Sequence, residues 1–211
     1  MKFDDLLLKY TKQPFIDLKG VALLFNESIN QVQVQFSRFV DAGKLFRIRN
    51  SIYIFSEKYR QLNVNSFYLS AYILQPSYIS LEKALEYYGL IPENVYVVTA
   101  LTTKRANSFS NIVGDFSYRH IQEKLFFGYV SMDESFPYFI AYPEKALLDY
   151  VYVNRLKVTI GMVEELRLQN LDVLDINKLR KFSVMFANKN IDKFVLFLED
   201  LILNGNRLKE L

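Results

Sequence analysis

The chain has 211 residues, of which 51% are hydrophobic and 23% charged, giving room for one large or two small domains with a proper core. Cysteine is absent, which excludes disulfides, thiolate nucleophiles and cysteine-based zinc sites. No apolar run reaches the roughly 18 residues of a membrane span, and the start, Met1-Lys2-Phe3-Asp4-Asp5, lacks the apolar region of a secretory signal. A cytoplasmic protein is expected.

The net charge of +3 is unevenly spread. Residues 1–60 hold ten Lys/Arg against six Asp/Glu, a balance of +4, while the remainder holds sixteen against seventeen. Eighteen Phe and fifteen Tyr lie mostly in that slightly acidic remainder, where core packing is their expected role.

Phe3, Leu6, Leu7 and Tyr10 have helical spacing, so a first helix is expected over Phe3 to Tyr10. Asp17 can cap a second helix over Leu18 to Phe25. After the break at Asn26-Glu27, Ser28 and Gln31 form a capping box for a third. At 100° per residue Ile29, Val32, Phe36, Phe39 and Val40 share one face of this helix, which must be buried. The other side carries Asn30, Gln31, Gln33, Val34, Ser37 and Arg38. Amides, a guanidinium and a small apolar group are what a helix uses on base edges in a major groove.

Gly43 suits the C′ position that ends this helix. Two short strands follow, Lys44 to Arg49 and Ile52 to Phe55, joined by Asn50-Ser51. Alternation would put Lys44, Phe46 and Ile48 on one face and Leu45, Arg47 and Arg49 on the other. Lys44, Arg47, Arg49 and Asn50 near the tip of such a hairpin would hold phosphates without reading sequence. Together these elements predict a winged helix-turn-helix over residues 1–60. The polar stretch Ser56 to Val64 reads as a connector, and a second domain is expected over residues 65–211.

That second part reads as mixed α/β, so the fold class is α+β with a helical C-terminal tail. Helices are expected over Ser66 to Leu74 and over Leu81 to Tyr88, the latter capped by Ser80 and stopped by Gly89 and Pro92. Strands are expected at Asn94 to Thr99, Phe116 to Ile121, Leu125 to Met132 and Tyr138 to Ala141, with Thr102 to Asn111 as a polar loop. Pro143 can open a helix running to about Arg155, with Glu144 near the positive end of its dipole. Apolar stripes mark helices at Ile160 to Gln169, Ile176 to Phe186 and Ile191 to Leu203. The last stripe (Ile191, Phe194, Val195, Leu198, Leu201 and Ile202) either packs into its own domain or makes a dimer contact.

Three ordered segments carry a family resemblance. Tyr78-Ile79-Ser80-Leu81-Glu82-Lys83-Ala84-Leu85-Glu86-Tyr87-Tyr88-Gly89-Leu90-Ile91-Pro92 resembles a stretch of the AbiEi antitoxins of type IV toxin–antitoxin systems. Val98 to Arg105 is similar to that family's Thr-x-x-x-x-x-Lys-Arg loop, and Ala141 to Asp149 to its Pro-Glu-Lys-Ala-Leu-Leu-Asp helix, with Phe126-Phe127-Gly128-Tyr129 between them. The wing departs from the family pattern: Asn50-Ser51 stand where Arg-Gly is common, which removes one basic group and a glycine. The resemblance spans about Leu18 to Asp149 and implies a cytoplasmic, non-enzymatic antitoxin. Its winged domain would repress its own operon at inverted repeats in double-stranded DNA, as a homodimer if the repeats are read in pairs. Its C-terminal part would oppose a nucleotidyltransferase-like toxin.

Catalysis finds little support in the residues. Glu144 and Lys145 are adjacent on a helix, unlike the Glu-x-Lys strand of carboxylate–lysine nucleases, and Lys145 to Asp149 has the i, i+4 spacing of a helical ion pair. His120 is the only histidine, so neither a zinc site nor any other metal or cofactor is expected. Lys104 and Arg105 read equally as a nucleic-acid- or toxin-facing surface and as a solvated loop. A different class of function also stays open: the winged domain could bind a protein, the toxin included, and no operator.

Overall fold

The computed structural model describes residues 1–132 and 135–209, with side chains described as far as Leu203. Helix accounts for 46% and strand for 19% in an α+β arrangement. Two units result: Met1–Leu69 with Ser110–Gly114, and Ser70–Phe109 with Asp115–Leu211.

The first unit runs α1 (Phe3–Tyr10), β1 (Ile16–Asp17), α2 (Leu18–Leu24), α3 (Ile29–Asp41), β2 (Leu45–Arg49) and β3 (Ile52–Phe55). Local chemistry sets the helix ends. The Asp17 carboxylate accepts from the Gly20 N–H at 3.0 Å and caps α2. That helix stops at Leu24, one residue short of expectation, and Asn26 then turns the chain at φ +50°. The capping box of α3 is present in both directions: the Gln31 N–H donates to Ser28 Oγ at 3.3 Å, and the Ser28 N–H donates to Gln31 Oε1 at 2.9 Å. At the far end Gly43 sits at φ +65°. There the Lys44 N–H bonds the Phe39 carbonyl at 2.8 Å and the Gly43 N–H the Val40 carbonyl at 2.9 Å, a Schellman closure.

Val32 and Phe36 carry the buried face of α3 into a core with Leu6, Ile16, Val21, Leu45 and Tyr53. Phe39 and Val40 are only partly buried, and Ile29 is 48% exposed, against expectation. Ile29 lies on the right arc but in the first turn, and a helix end projects past the surface that covers its middle. The sheet has the order β1-β3-β2, the two-residue β1 being unanticipated. Strict alternation fails in β2, where the register against β3 shifts between Arg47 and Arg49. This bulge lets Leu45 and Ile48 both be buried although they were expected on opposite faces.

The remainder contains α4 (Ser66–Ile73), β4 (Ser77–Ile79), α5 (Leu81–Tyr87), β5 (Val98–Thr102), β6 (Asn107–Asn111), β7 (Gly114–His120), β8 (Tyr129–Met132), β9 (Tyr138–Ala141), α6 (Pro143–Val153), α7 (Ile160–Glu165), α8 (Ile176–Phe186) and α9 (Lys189–Lys209). Its sheet has the order β6-β7-β5-β4-β9-β8 and mixes parallel pairs (β5 with β7, β4 with β9) with antiparallel ones. The strand expected at Asn94 to Thr99 begins four residues later, and Tyr96 is 85% exposed. All five residues of β5 are buried, as an interior strand requires. The pairing partners in β4 and β7, not the apolar run Val95 to Val98, decide which residues join the sheet. The expected loop Thr102 to Asn111 contains β6, and the strand expected from Leu125 starts only at Tyr129 after a short 3-10 turn at Glu123–Leu125.

In the tail, Ile191, Phe194, Val195, Leu198 and Ile202 are buried within the unit, whereas Leu201 is 38% exposed. The stripe therefore packs into its own unit. Among the described residues no helix is long and apolar enough to cross a membrane.

Candidate nucleic-acid interface

The capped ends and the buried Val32/Phe36 edge fix the rotation of α3, so its other side must face solvent. Asn30, Gln31, Gln33, Val34, Ser37 and Arg38 are all exposed, and Asn30, Gln33, Val34 and Ser37 line a shallow hollow on that surface. These side chains differ in what they have left to offer. Gln31 Oε1 already accepts from both the Ser28 N–H and the Ser28 hydroxyl at 2.9 Å, so its amide serves the cap. Bidentate pairing with adenine needs both ends of an amide, and Asn30 and Gln33 are better placed to supply it.

The hairpin carries cations at two different places. Arg47 is exposed beside the tip, and its Nε donates to the Asn50 carbonyl at 2.9 Å. That bond spends one of the five guanidinium donors and holds the side chain over the turn. Asn50 is exposed at φ +32°, a conformation that asparagine tolerates better than most residues, while Arg49 is half-buried. Lys44 is not near the tip. It precedes β2 at the base of the hairpin, and its ammonium stands 4.5 Å over the Phe3 ring. Six residue steps separate it from Asn50, roughly 20 Å at about 3.3 Å each. Lys104 and Arg105 are exposed in the loop between β5 and β6.

The second unit holds a different constellation, of which the sequence showed only one edge. Lys145 and Asp149 form the expected i, i+4 ion pair, but both side chains are fully buried. Lys145 Nζ also donates to the Tyr78 hydroxyl at 2.9 Å. That hydroxyl in turn donates to Asp149 Oδ2 at 3.0 Å, and Ser80 Oγ donates to the same oxygen at 2.9 Å. Ser80 thus begins α5 without capping it, its hydroxyl being drawn to Asp149 instead. The rings of Phe127 and Phe186 stand 4.9 and 5.1 Å from the ammonium, and Tyr78 packs on Phe126 and Tyr129. Gly128 sits at φ +72°, where an added β-carbon would lie 3.1 Å from Lys145 Cγ.

Burial pushes the Lys145 ammonium down from its usual range, and the Asp149 charge pulls it back up. Burial likewise pushes the Asp149 carboxyl up, opposed by the charge and hydrogen bond of Lys145 and by the hydroxyls of Ser80 and Tyr78. The Tyr78 hydroxyl is held well above the normal tyrosine range, first by burial and then by Asp149. Each charged group here is sealed from water and bonded to its neighbours, as a buried charge must be to persist. Neighbouring polar groups serve the packing too. Glu144 Oε1 accepts the Asp175 N–H at 2.7 Å beside the start of α8, and the Tyr88 hydroxyl donates to the Ala141 carbonyl at 2.9 Å.

Three segments far apart in sequence, Tyr78 to Ser80, Phe126 to Tyr129 and Pro143 to Asp149, therefore meet at one point. Periodicity gave no sign of this, because the partners of Asp149 lie 69 and 71 residues away. No family model matches the chain, and no curated protein does.

Proposed function

We propose that residues 1–60 form a winged helix-turn-helix that binds DNA, and that the chain is an antitoxin of the AbiEi kind which represses its own operon. The observation that carries this reading is the exposed side of α3, where Asn30, Gln33, Val34, Ser37 and Arg38 stand on a helix whose rotation is fixed by its caps and core. They would read base edges in the major groove, with Arg38 on a guanine, while Arg47 and Arg49 hold the backbone. Lys44 contributes charge from the hairpin base. The +4 balance of residues 1–60 is of the sign that phosphate contact needs.

Residues 65–211 act as the antitoxin domain, opposing a nucleotidyltransferase-like toxin without catalysis of their own. Two of the three family-like segments, through Tyr78 to Ser80 and Pro143 to Asp149, meet the intervening Phe126 to Tyr129 run in one buried network, which supports this by giving them a shared structural reason to occur together. The protein acts in the cytoplasm, without metal or cofactor, and pairs as a homodimer over inverted repeats.

Fluorescence-anisotropy titration with the DNA upstream of its own gene tests the reading, at two salt concentrations and beside a scrambled duplex. Preferential binding of the upstream DNA that weakens with salt is expected. Equal weak binding to both duplexes would favour a second reading, in which the winged domain docks on a protein. One observation favours that alternative: Leu23, Leu24 and Ile29, around the turn between α2 and α3, are 85%, 53% and 48% exposed.

A further inference from the structure

A cavity of about 830 Å³ opens within the second unit, between the end of β7, the end of α6 and the start of α9. Its size falls within the roughly 300–1,000 Å³ of pockets that take a small organic ligand. Arg119, His120 and Arg155 line it, and none of the described lining residues carries a carboxylate. Gln122, Asn154 and Asn188 add amides, and Tyr152 adds a half-buried ring in T-shaped contact with Phe186, the centroids 5.3 Å apart. We propose that this cavity binds a phosphorylated small molecule of nucleotide size, its phosphate held by Arg119 and Arg155 and its ring lying against Tyr152.

Several details converge on an anion. Arg119 makes only long contacts, at 3.4 Å to both Asn154 Oδ1 and the Val153 carbonyl, and a phosphate oxygen would form shorter, charge-assisted bonds. Of the last carbonyls of α6, Val153 takes the long Arg119 contact, while Val151 and Tyr152 are occupied by backbone. The Leu156 and Arg155 N–H groups bond the Val151 and Tyr152 carbonyls at 3.1 and 3.2 Å, closing that helix. His120 Nδ1 lies 3.2 Å from the Lys104 carbonyl. This contact ties the Lys104-Arg105 loop to the cavity, which Ala106 lines, and places two further cations in the segment beside its rim. The long helix α9 begins at the same place, with Asn188, Asn190 and Ile191 at its start lining the cavity.

Arg155 also makes the test clean. It occupies the left-handed region at φ +52°, where glycine is the least strained residue. Arg155→Gly therefore removes the cation while relaxing the backbone, and an intact melting temperature would show that the fold survives.

Isothermal titration of the full chain with ATP, AMP, inorganic pyrophosphate and adenosine reads the proposal. Binding is expected for the phosphorylated probes and not for adenosine. Arg119→Gln and Arg155→Gly should each weaken it by about threefold to tenfold. The proposal is overturned if no phosphorylated probe binds at millimolar concentration, or if adenosine binds as well as AMP. It is equally overturned if both variants bind like the wild type, or if a single-stranded oligonucleotide displaces the nucleotides at lower concentration than they bind, since the cavity would then serve a nucleic-acid chain. The outcome does not depend on operator binding by residues 1–60.

Discussion

The exposed side of α3 and the buried cluster around Lys145 use the same chemical groups in opposite ways. On α3, amides, a hydroxyl and a guanidinium stand in water, and only Gln31 is spent on its own backbone. Around Lys145, an ammonium, a carboxylate and two hydroxyls are fully buried and satisfied by one another. Residue type alone does not distinguish a recognition surface from a structural keystone. What distinguishes them is whether the fold has already supplied the partner. Changes in the two regions should therefore fail differently, one in stability and the other in binding.

The largest effect is expected at the buried pair. Lys145→Met leaves Asp149 buried without its counter-charge and should cost about 3–5 kcal/mol in urea denaturation. Adding Asp149→Leu should recover only part of that loss, because it removes the unpaired charge but leaves the buried Tyr78 and Ser80 hydroxyls without their acceptor. If Lys145→Met alone unfolds no more easily than wild type, the network does not hold the second unit together.

Gly128→Ala comes next, at about 2 kcal/mol, from the positive φ and from crowding against Lys145. The same denaturation series measures it, and neither change should alter affinity of the first unit for DNA.

Raising the pH gives a further contrast. Burial raises Tyr78, Tyr88 and Tyr150 above the normal tyrosine range, so the unfolded chain loses these protons near pH 10 while the folded chain still holds them. The stability they contribute is fully present below about pH 10 and is lost as the pH rises beyond it. Lys145, whose pKa is lowered, works the other way in the range below its unfolded value, but one lysine opposes three tyrosines. Melting temperature should thus fall above about pH 10, and a flat profile there would contradict the burial of these rings.

In the first unit the expected losses are smaller and appear in binding. Arg47→Ala should weaken affinity for all duplexes alike and flatten the salt slope by about one unit, leaving the melting temperature nearly unchanged. A loss confined to one DNA sequence would move Arg47 from the backbone to a base.

How legible each region was follows from the distance over which its determinants act. The caps at Asp17, Ser28 with Gln31, Gly43 and Gly89 depend on neighbours within about a turn, and they stand where the sequence placed them. The outward side of α3 followed from them. Strand limits were less legible, because Val95 to Val98 looks like a strand while β4 and β7 select Val98 to Thr102. The bulge in β2 is a property of its register against β3 and leaves no mark on the alternation of either strand. The burial of Lys145 and Asp149 was least legible, since their hydroxyl partners come from residues 67 to 71 positions away. The cavity at Arg119 and Arg155 was invisible for the same reason.

If the exposed side of α3 reads base identity, as proposed, Arg38 is the side chain whose loss should show it. Binding of wild type and Arg38→Ala should be compared on the upstream DNA and on a set of duplexes that each change one base pair. Arg38→Ala should lose about 1–3 kcal/mol on the native site and become indifferent at one base pair that the wild type discriminates. An unchanged affinity and an unchanged pattern of base preference would contradict it.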